Sequence, residues 1–152
     1  FNPSSGRRVM ELHFRFIEGN ADYESCFLPL SSNMNVGCKL HFSGQVRNDN
    51  CEKGEVQAIV YSAYSGMALK ELNKISSELS LKYPQILEVS VVHSLGHVEV
   101  GCDSMHVILM AAHRKGTFDF LKEFVFLFKQ RIPIFKKEIF FEGVERWVSN
   151  CD

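Results

Sequence analysis

Apolar and polar residues alternate along residues 36–43, which is typical of a strand with one buried face. The apolar positions are Val36, Cys38, Leu40 and Phe42. Gly44 is predicted to end this strand, and residues 55–61 predict the next one, close enough in sequence to pair antiparallel with it. Residues 10–17 alternate more weakly and predict a further strand, whereas residues 31–35 have the composition of a loop.

The spacing of apolar residues then changes to three and four, which predicts an amphipathic helix. Its apolar positions are Ala68, Leu72, Ile75 and Leu79. Ser65 and Gly66 open the helix, and charged residues fall mostly on its other side. Tyr83 precedes Pro84, and because a residue before proline disfavours the α conformation, the helix is predicted to stop there.

Two apolar segments follow this helix and predict two further strands. Residues 86–93 are rich in valine and isoleucine, and residues 105–111 are apolar on both faces, as in a covered central strand. Gly96 and Gly101 bracket a short segment, 98–100, which predicts a small hairpin between the two strands.

A second long helix is predicted from Thr117, which is a suitable N-cap, to just before Pro133. Its predicted core positions are Phe118, Leu121, Val125 and Phe128. A short strand or extended tail is predicted to run through Trp147. Strands, helix, strands, helix and tail in this order predict an α+β domain with a mostly antiparallel sheet and two main helices.

The length, composition and net charge of the chain exclude several classes of function. The chain has 152 residues, one domain's worth, with 45% apolar and 23% charged residues and a net charge of -1. A nucleic-acid surface is not expected without a basic excess, and a membrane span is not expected without a long apolar run. Five cysteines without a C-x-x-C pair fit reduced thiols, and the first residues lack the apolar core of a signal peptide. A cytoplasmic protein is therefore predicted.

Basic residues cluster around the second helix. His113 and Arg114 lie where a strand gives way to the helix, whose positive end favours an anion. They are either a clamp for a phosphate or carboxylate or simply turn residues. Lys129 lies in the last turn and is either a lysine emerging from apolar surroundings, with a lowered pKa, or an ordinary surface lysine. Both alternatives stay open on these residues alone.

Lys136, Lys137 and Glu138 follow Pro133 and carry charge close to Phe135. A proline-fixed turn would hold these charges rigidly, although charged residues in a loop are usually solvated. The six histidines show no zinc-ligand spacing, so no metal site is predicted.

These segments together resemble the MoaE family. The matching strings are FSGQVRN at 42–48, YSAYSGM at 61–67, HSLGHVEVG at 93–101, AHR at 112–114, IPIFKKE at 132–138, EG at 142–143 and RWV at 146–148. The resemblance covers about residues 36–148, and the strings occur in the family's order and at compatible spacings. The resemblance therefore implies a single MoaE-like domain over 1–152, with residues 1–35 matching weakly.

The resemblance implies an α/β hammerhead fold and a homodimer with a ubiquitin-like sulfur carrier of the MoaD type docked on each end, which makes a heterotetramer. It also implies that this chain is the catalytic subunit of a molybdopterin synthase. Such an enzyme transfers two sulfurs in turn from the carrier's C-terminal thiocarboxylate to cyclic pyranopterin monophosphate (precursor Z). The product is the dithiolene of molybdopterin, and no cofactor or metal is implied for this subunit.

The family match also implies roles for particular residues. Lys129 would be the principal catalytic lysine, activating the thiocarboxylate or shuttling protons, and Lys136 would assist it. Arg47, His113 and Arg114 would bind the phosphate and the pterin. The full set of implied substrate-binding residues is Gln45, Val46, Arg47, His113, Arg114, Lys129, Lys136, Lys137 and Glu138.

Gln45, Asp49, Val125 and Phe135 depart from residues common in the family, and we expect them to affect substrate affinity and partner fit more than the reaction. A non-catalytic scaffold with the same fold is the alternative, and a generic anion-binding domain without a carrier is a third hypothesis. The catalytic function is favoured because the presumed binding and catalytic cations are all present, namely Arg47, His113, Arg114, Lys129 and Lys136.

Overall fold

The computed structural model describes residues 9–22 and 34–148. The elements in chain order are β1 (Glu11–Glu18), β2 (Cys38–Gln45), β3 (Asn50–Cys51), β4 (Gly54–Ala63), α1 (Ser65–Lys82), β5 (Ile86–Glu99), β6 (Asp103–Ala111), α2 (Thr117–Arg131), β7 (Ile134–Phe140), a 3-10 turn (Phe141–Gly143) and β8 (Glu145–Val148). The predicted α+β class with two main helices is confirmed. Of the predicted loop over 31–35, residues 31–33 lie outside the described residues, and Met34 and Asn35 form a turn.

The strands form one sheet with the order β2-β6-β5-β4-β7-β8, with β1 added beside β5 and β3 beside β4. Only the pairing of β1 with β5 is parallel among the described strands. The long strand β5 joins two halves of the sheet, because its first part pairs with β1 and β6 and its last part pairs with β4. Gly96 lies at this change of partner with a φ of 79°, a conformation that strains residues with a Cβ.

One predicted strand pairing and one predicted hairpin are wrong. β2 pairs with β6, not with β4, which instead lies between β5 and β7. The reason is a pair of backbone hydrogen bonds that ties the chain after β2 to the β5–β6 turn: Val46 N–H donates to Cys102 O, and Gly101 N–H donates to Val46 O. The predicted hairpin over 98–100 is absent, since His97, Val98 and Glu99 continue β5 along β4.

The main core lies between one face of the sheet and the two helices. α1 has the predicted bounds and buries the predicted Ala68, Leu72, Ile75 and Leu79. β6 is covered as predicted, because it lies between β2 and β5 and is mostly buried. No described helix is both long enough and apolar enough to cross a membrane.

The core face of α2 differs in part from the prediction, since Phe128 is buried as predicted but the other predicted core positions are not. The buried phenylalanines are Phe120, Phe124 and Phe128, whereas Phe118 is 69% exposed. The helix is apolar on more than one side, so spacing alone does not identify its core face. Its N-cap is Gly116, at a φ of 75°, and the hydroxyl of Thr117 donates to Arg114 O instead of capping the helix.

Ion pairs hold the end of α2 against α1. Arg131 donates to Glu71 Oε1 at 2.7 Å and to Glu78 Oε2 at 2.6 Å. At the other end of α1, Lys82 donates to Glu123 Oε2 at 2.9 Å. These pairs are all at least partly exposed to solvent, and such pairs contribute little to the free energy of unfolding. Their geometric effect is to fix the last turn of α2, which carries Lys129.

Candidate active site

A cavity of about 650 Å³ opens where the end of α2 meets the sheet. It is lined by Phe42, Gly44, Gln45, Val46, Arg47, Asp49, Val56, Ile59, Tyr61, His93, Ser104, Met105, Phe128, Lys129, Ile132, Ile134, Lys136, Glu138, Arg146 and Val148. Both halves of the sheet contribute, since β2, β4, β5, β6, β7 and β8 all supply residues. The volume lies within the range typical of pockets for small ligands.

Four cations line this cavity, and each comes from a different segment. Lys129 extends from the last turn of α2, Lys136 from β7, Arg146 from β8, and Arg47 from the loop after β2. The lining contains two carboxylates, Asp49 and Glu138, so positive charge is in excess. Apolar side chains such as Phe128 line the cavity beside these groups, and an apolar wall strengthens the interaction of a cation with an anion that binds against it.

Alternation along β7 explains which of its residues reach the cavity. Ile134, Lys136 and Glu138 face the cavity, because every second side chain of a strand lies on one face. Lys137 lies on the other face of β7. Its Nζ is 3.4 Å from Glu145 Oε2 and 5.6 Å from the centre of the Trp147 ring.

Glu138 and Arg146 form a partly buried ion pair at the cavity wall, in which the Glu138 side chain is 10% exposed and the Arg146 side chain 40%. They are directly opposite each other on β7 and β8, and Arg146 Nη2 donates to Glu138 Oε2 at 2.8 Å. The Arg146 guanidinium also lies 5.5 Å from the centre of the Phe140 ring. Both contacts orient the guanidinium, because a carboxylate and an aromatic face each favour a fixed arginine plane. The sequence prediction of site residues did not include Arg146.

His93 is the buried histidine of the site, with 5% of its surface exposed. Its Nδ1–H donates to Ser94 O at 2.8 Å. The pKa of His93 is lowered to about 4, mainly by burial and in part by the nearby charges of Lys136 and Lys129, while the hydrogen bond to Ser94 opposes the shift. The imidazole is therefore neutral near pH 7. Sequence reasoning also missed this residue, because a histidine in an apolar strand gives no sign of facing a cavity.

Tyr61 and Ser104 are two further polar residues of the lining. Burial raises the pKa of Tyr61, and its side-chain hydrogen bond with Ser104 opposes that shift. The phenol therefore remains protonated at neutral pH and provides a hydroxyl, not a charge, to the cavity.

The structure brings most of the predicted site residues together. Those lining the cavity are Gln45, Val46, Arg47, Lys129, Lys136 and Glu138. His113 and Arg114 are exposed and precede the first residue of α2, whereas Lys129 lies near its end. A helix of 15 residues is about 22 Å long, so one small ligand cannot contact both ends within a single chain.

Possible metal ligands converge elsewhere. Within the described ranges, Glu11, His13 and Glu88 are the one group of three such side chains whose ligand atoms lie within 4.8 Å of one another. His13 Nε2 is 3.0 Å from Glu88 Oε1 and 3.6 Å from Glu11 Oε1. None of the three lines the cavity. Two further histidines, His41 and His106, hydrogen-bond each other at 2.7 Å.

Comparison with known proteins gives one consistent result. The family model described as "MoaE protein" matches residues 16–131. The molybdopterin synthase catalytic subunit of Pyrococcus abyssi is 33% identical over 80% of this chain and 80% of its own length. The molybdopterin synthase catalytic subunit of Drosophila mojavensis is 35% identical over 73% of this chain. That protein is longer, and the match spans 30% of its length.

Solved structures agree with the sequence matches. The crystal structure of molybdopterin synthase from Staphylococcus aureus has a TM-score of 0.74 at 25% identity and covers 93% of this chain and 97% of its own. A chain of the complex of subunits 1 and 2 of the molybdopterin-converting factor from Helicobacter pylori has a TM-score of 0.64 at 21% identity, covering 91% of this chain and 90% of its own. The chain therefore belongs to the MoaE family, the family of the molybdopterin synthase catalytic subunits.

Proposed function

We propose that the cavity is the place where this chain transfers sulfur from the C-terminal thiocarboxylate of a MoaD-type carrier to precursor Z. The chain has the catalytic function of its family, a sulfurtransferase of molybdopterin synthesis. The observation that carries the assignment to the cavity is the set of four cations, Arg47, Lys129, Lys136 and Arg146, over an apolar lining. The non-catalytic scaffold offers no reason for these cations to converge.

The charge of the cavity suits both reactants. The carrier tail ends in an anionic thiocarboxylate, and precursor Z carries a phosphate. Anions in a partly desolvated cavity need cations and hydrogen-bond donors, which lysine and arginine supply. Arg146 and Arg47 already have carboxylate partners, Glu138 at 2.8 Å and Asp49 at 3.2 Å. In this proposal those two arginines bind anions, and the lysines act at the reacting atoms.

The reaction exchanges sulfur for oxygen. A thiocarboxylate and a substrate hydroxyl become a carboxylate and a thiol, so the atoms balance and no oxidant or reductant is needed. The thiocarboxylate sulfur forms a bond to a carbon of the pterin side chain while a carbon–oxygen bond there breaks, and the departing oxygen takes a proton and leaves as water. Water then adds to the acyl carbon of the resulting thioester and breaks its carbon–sulfur bond, which leaves a thiol on the pterin and a carboxylate on the carrier. The Lys129 ammonium is proposed to donate the proton to the departing oxygen, and Lys136 to stabilise the charge that develops on the acyl oxygen.

His113 and Arg114 enter the proposal through a second copy of the chain. They lie about a helix length from Lys129, so we propose that a homodimer brings them to the cavity of the partner. A carrier at each end would complete a heterotetramer. The printed title of the Helicobacter pylori structure, a complex of two subunits, supports the carrier as partner.

The same proposal includes a single MoaE-like domain over 1–152 and a cytoplasmic location. A single family model matches residues 16–131, which is most of the chain. Among the described residues Cys38, Cys51 and Cys102 are free thiols, as expected in a reducing compartment.

Reconstitution tests the proposed function. The purified chain is mixed with a thiocarboxylated MoaD-type carrier and precursor Z, and molybdopterin formation is followed. We expect product that depends on both additions, with unthiolated carrier as the control. Carrier binding without product would favour the scaffold, and no binding at all would reject this class of carrier.

A mixed dimer tests the role of the second copy. Arg114→Ala and Lys129→Ala homodimers should each turn over poorly, whereas mixing the two chains should recover about a quarter of the wild-type activity. The figure follows because half of the dimers are mixed, and each mixed dimer has one intact site out of two. Recovery is measured after unfolding and refolding the two variants together. Dimers that form and stay inactive would contradict the shared site, provided that Arg114→Ala alone is impaired.

A further inference from the structure

His93 is a buried polar residue of the cavity to which the proposed reaction gives no role. Because a carbonyl oxygen only accepts, the contact with Ser94 O places the ring proton on Nδ1. The other ring nitrogen, Nε2, therefore carries a lone pair. No described residue hydrogen-bonds Nε2, although 95% of His93 is shielded from solvent. A buried acceptor beside a cavity is available for a ligand.

Aromatic contacts fix the orientation of this ring. The Phe128 ring is stacked on it at 6.0 Å between centres, with 22° between the planes. Tyr61 meets it edge to face at 5.0 Å, and Phe16 does so at 6.3 Å. A ring that is held on several sides and anchored at Nδ1 cannot rotate without losing these contacts. The lone pair of Nε2 therefore points in one fixed direction.

Most of the other polar side chains of the lining are donors or already have a hydrogen-bond partner, and Tyr61 and Ser104 bond to each other. The four cations only donate, which suits the phosphate and the thiocarboxylate. The two carboxylates are each engaged by an arginine, Glu138 by Arg146 and Asp49 by Arg47. Gln45 is exposed at the edge, where its amide nitrogen donates to Gly101 O. A pterin ring, however, carries N–H groups that lose their water partners on entering the cavity.

We propose that His93 is a substrate-binding residue whose Nε2 accepts a hydrogen bond from an N–H group of the pterin ring. The cations then hold the phosphate and the sulfur tail, while the neutral imidazole recognises the uncharged ring. Lys136 and Lys129 help to keep the imidazole unprotonated through their charges, because a protonated ring would present a donor where the pterin also donates. This inference rests on the proposed function.

Two substitutions by amide side chains distinguish the role of Nε2 from that of Nδ1. In His93→Gln the side-chain oxygen can take the position of Nε2, and in His93→Asn the amide can take the position of Nδ1 and keep the bond to Ser94. His93→Phe keeps the aromatic contacts and loses both nitrogens. We expect roughly a tenfold rise in the KM for precursor Z in His93→Asn and His93→Phe. His93→Gln should stay within about threefold of wild type, and the KM for the carrier should not change in any of them.

His97→Gln is the matched control, since His97 is an exposed histidine on the same strand, β5. Equal impairment of all three His93 variants, or an unchanged KM in His93→Asn and His93→Phe, would overturn the inference. All KM values are compared with that of the wild-type protein. If the wild-type protein itself forms no molybdopterin, the proposed function is contradicted, and the role of His93 is not what has failed.

A measurement on the wild-type protein does not depend on whether the variants fold. With ¹⁵N-labelled histidine, the Nε2 resonance of His93 should move on addition of precursor Z as the lone pair accepts a hydrogen bond. The Nδ1 resonance should stay that of a protonated nitrogen. An Nε2 resonance that does not move when the ligand is bound would overturn the inference.

Discussion

Lys129→Ala is expected to lower the rate of molybdopterin formation by about a hundredfold or more, while the fold stays intact. The size follows from the usual contribution of a positioned proton donor or of one charge-stabilising group, roughly 10²–10⁴ in rate. Lys129 is the cavity cation of α2, and its helix turn is fixed by the bonds of Arg131 to Glu71 and Glu78. The measurement is turnover in the reconstituted system with saturating carrier and precursor Z.

Lys122→Ala is the control for this variant. Lys122 is an exposed lysine on the same helix, so its loss removes the same charge without touching the cavity. Thermal unfolding of both variants should match wild type, because neither lysine belongs to the buried core. Wild-type turnover by Lys129→Ala would remove this residue from the proposed chemistry. An equal loss in both variants would point to net charge and not to the site.

Part of the candidate site was predictable from the sequence because its residues carry recognisable chemistry. Lys129, Lys136 and Arg47 are cations within segments that match a family, and the structure places all three at one cavity. His93 and Arg146 were missed for a physical reason. The neighbours of these two side chains depend on how the strands pair, as β7 does with β8. Local periodicity gives no information on that pairing.

The fold shows the same division between local and long-range information. α1 was predicted to the residue at its start, because its apolar positions repeat every three or four residues and the Tyr83–Pro84 pair stops it. The partner of β2 was not predictable, because it is β6, more than fifty residues away in sequence. The continuation of β5 past Gly96 was not predictable either, because a glycine is found both in hairpin turns and at bends within a strand.

Phe124→Ala is expected to lower the free energy of unfolding by about 3–5 kcal/mol, the usual cost of removing a fully buried phenylalanine. Phe124 has no exposed surface and contacts its neighbours on α2, with ring centres 5.7 Å from Phe120 and 6.3 Å from Phe128. Truncation would leave a cavity that the rigid core fills only in part. Urea denaturation followed by circular dichroism measures the change.

Phe118→Ala is the matched control for this variant, because it removes the same side chain from the same helix at a position that is 69% exposed. Its expected change is within about 0.5 kcal/mol. The pair also decides which face of α2 is buried, since the sequence spacing favoured Phe118 and the structure favours Phe124. A larger loss in Phe118→Ala than in Phe124→Ala would mean that α2 is rotated about its axis. In that case Lys129 would leave the cavity, and the proposed site would have to be rebuilt around Lys136.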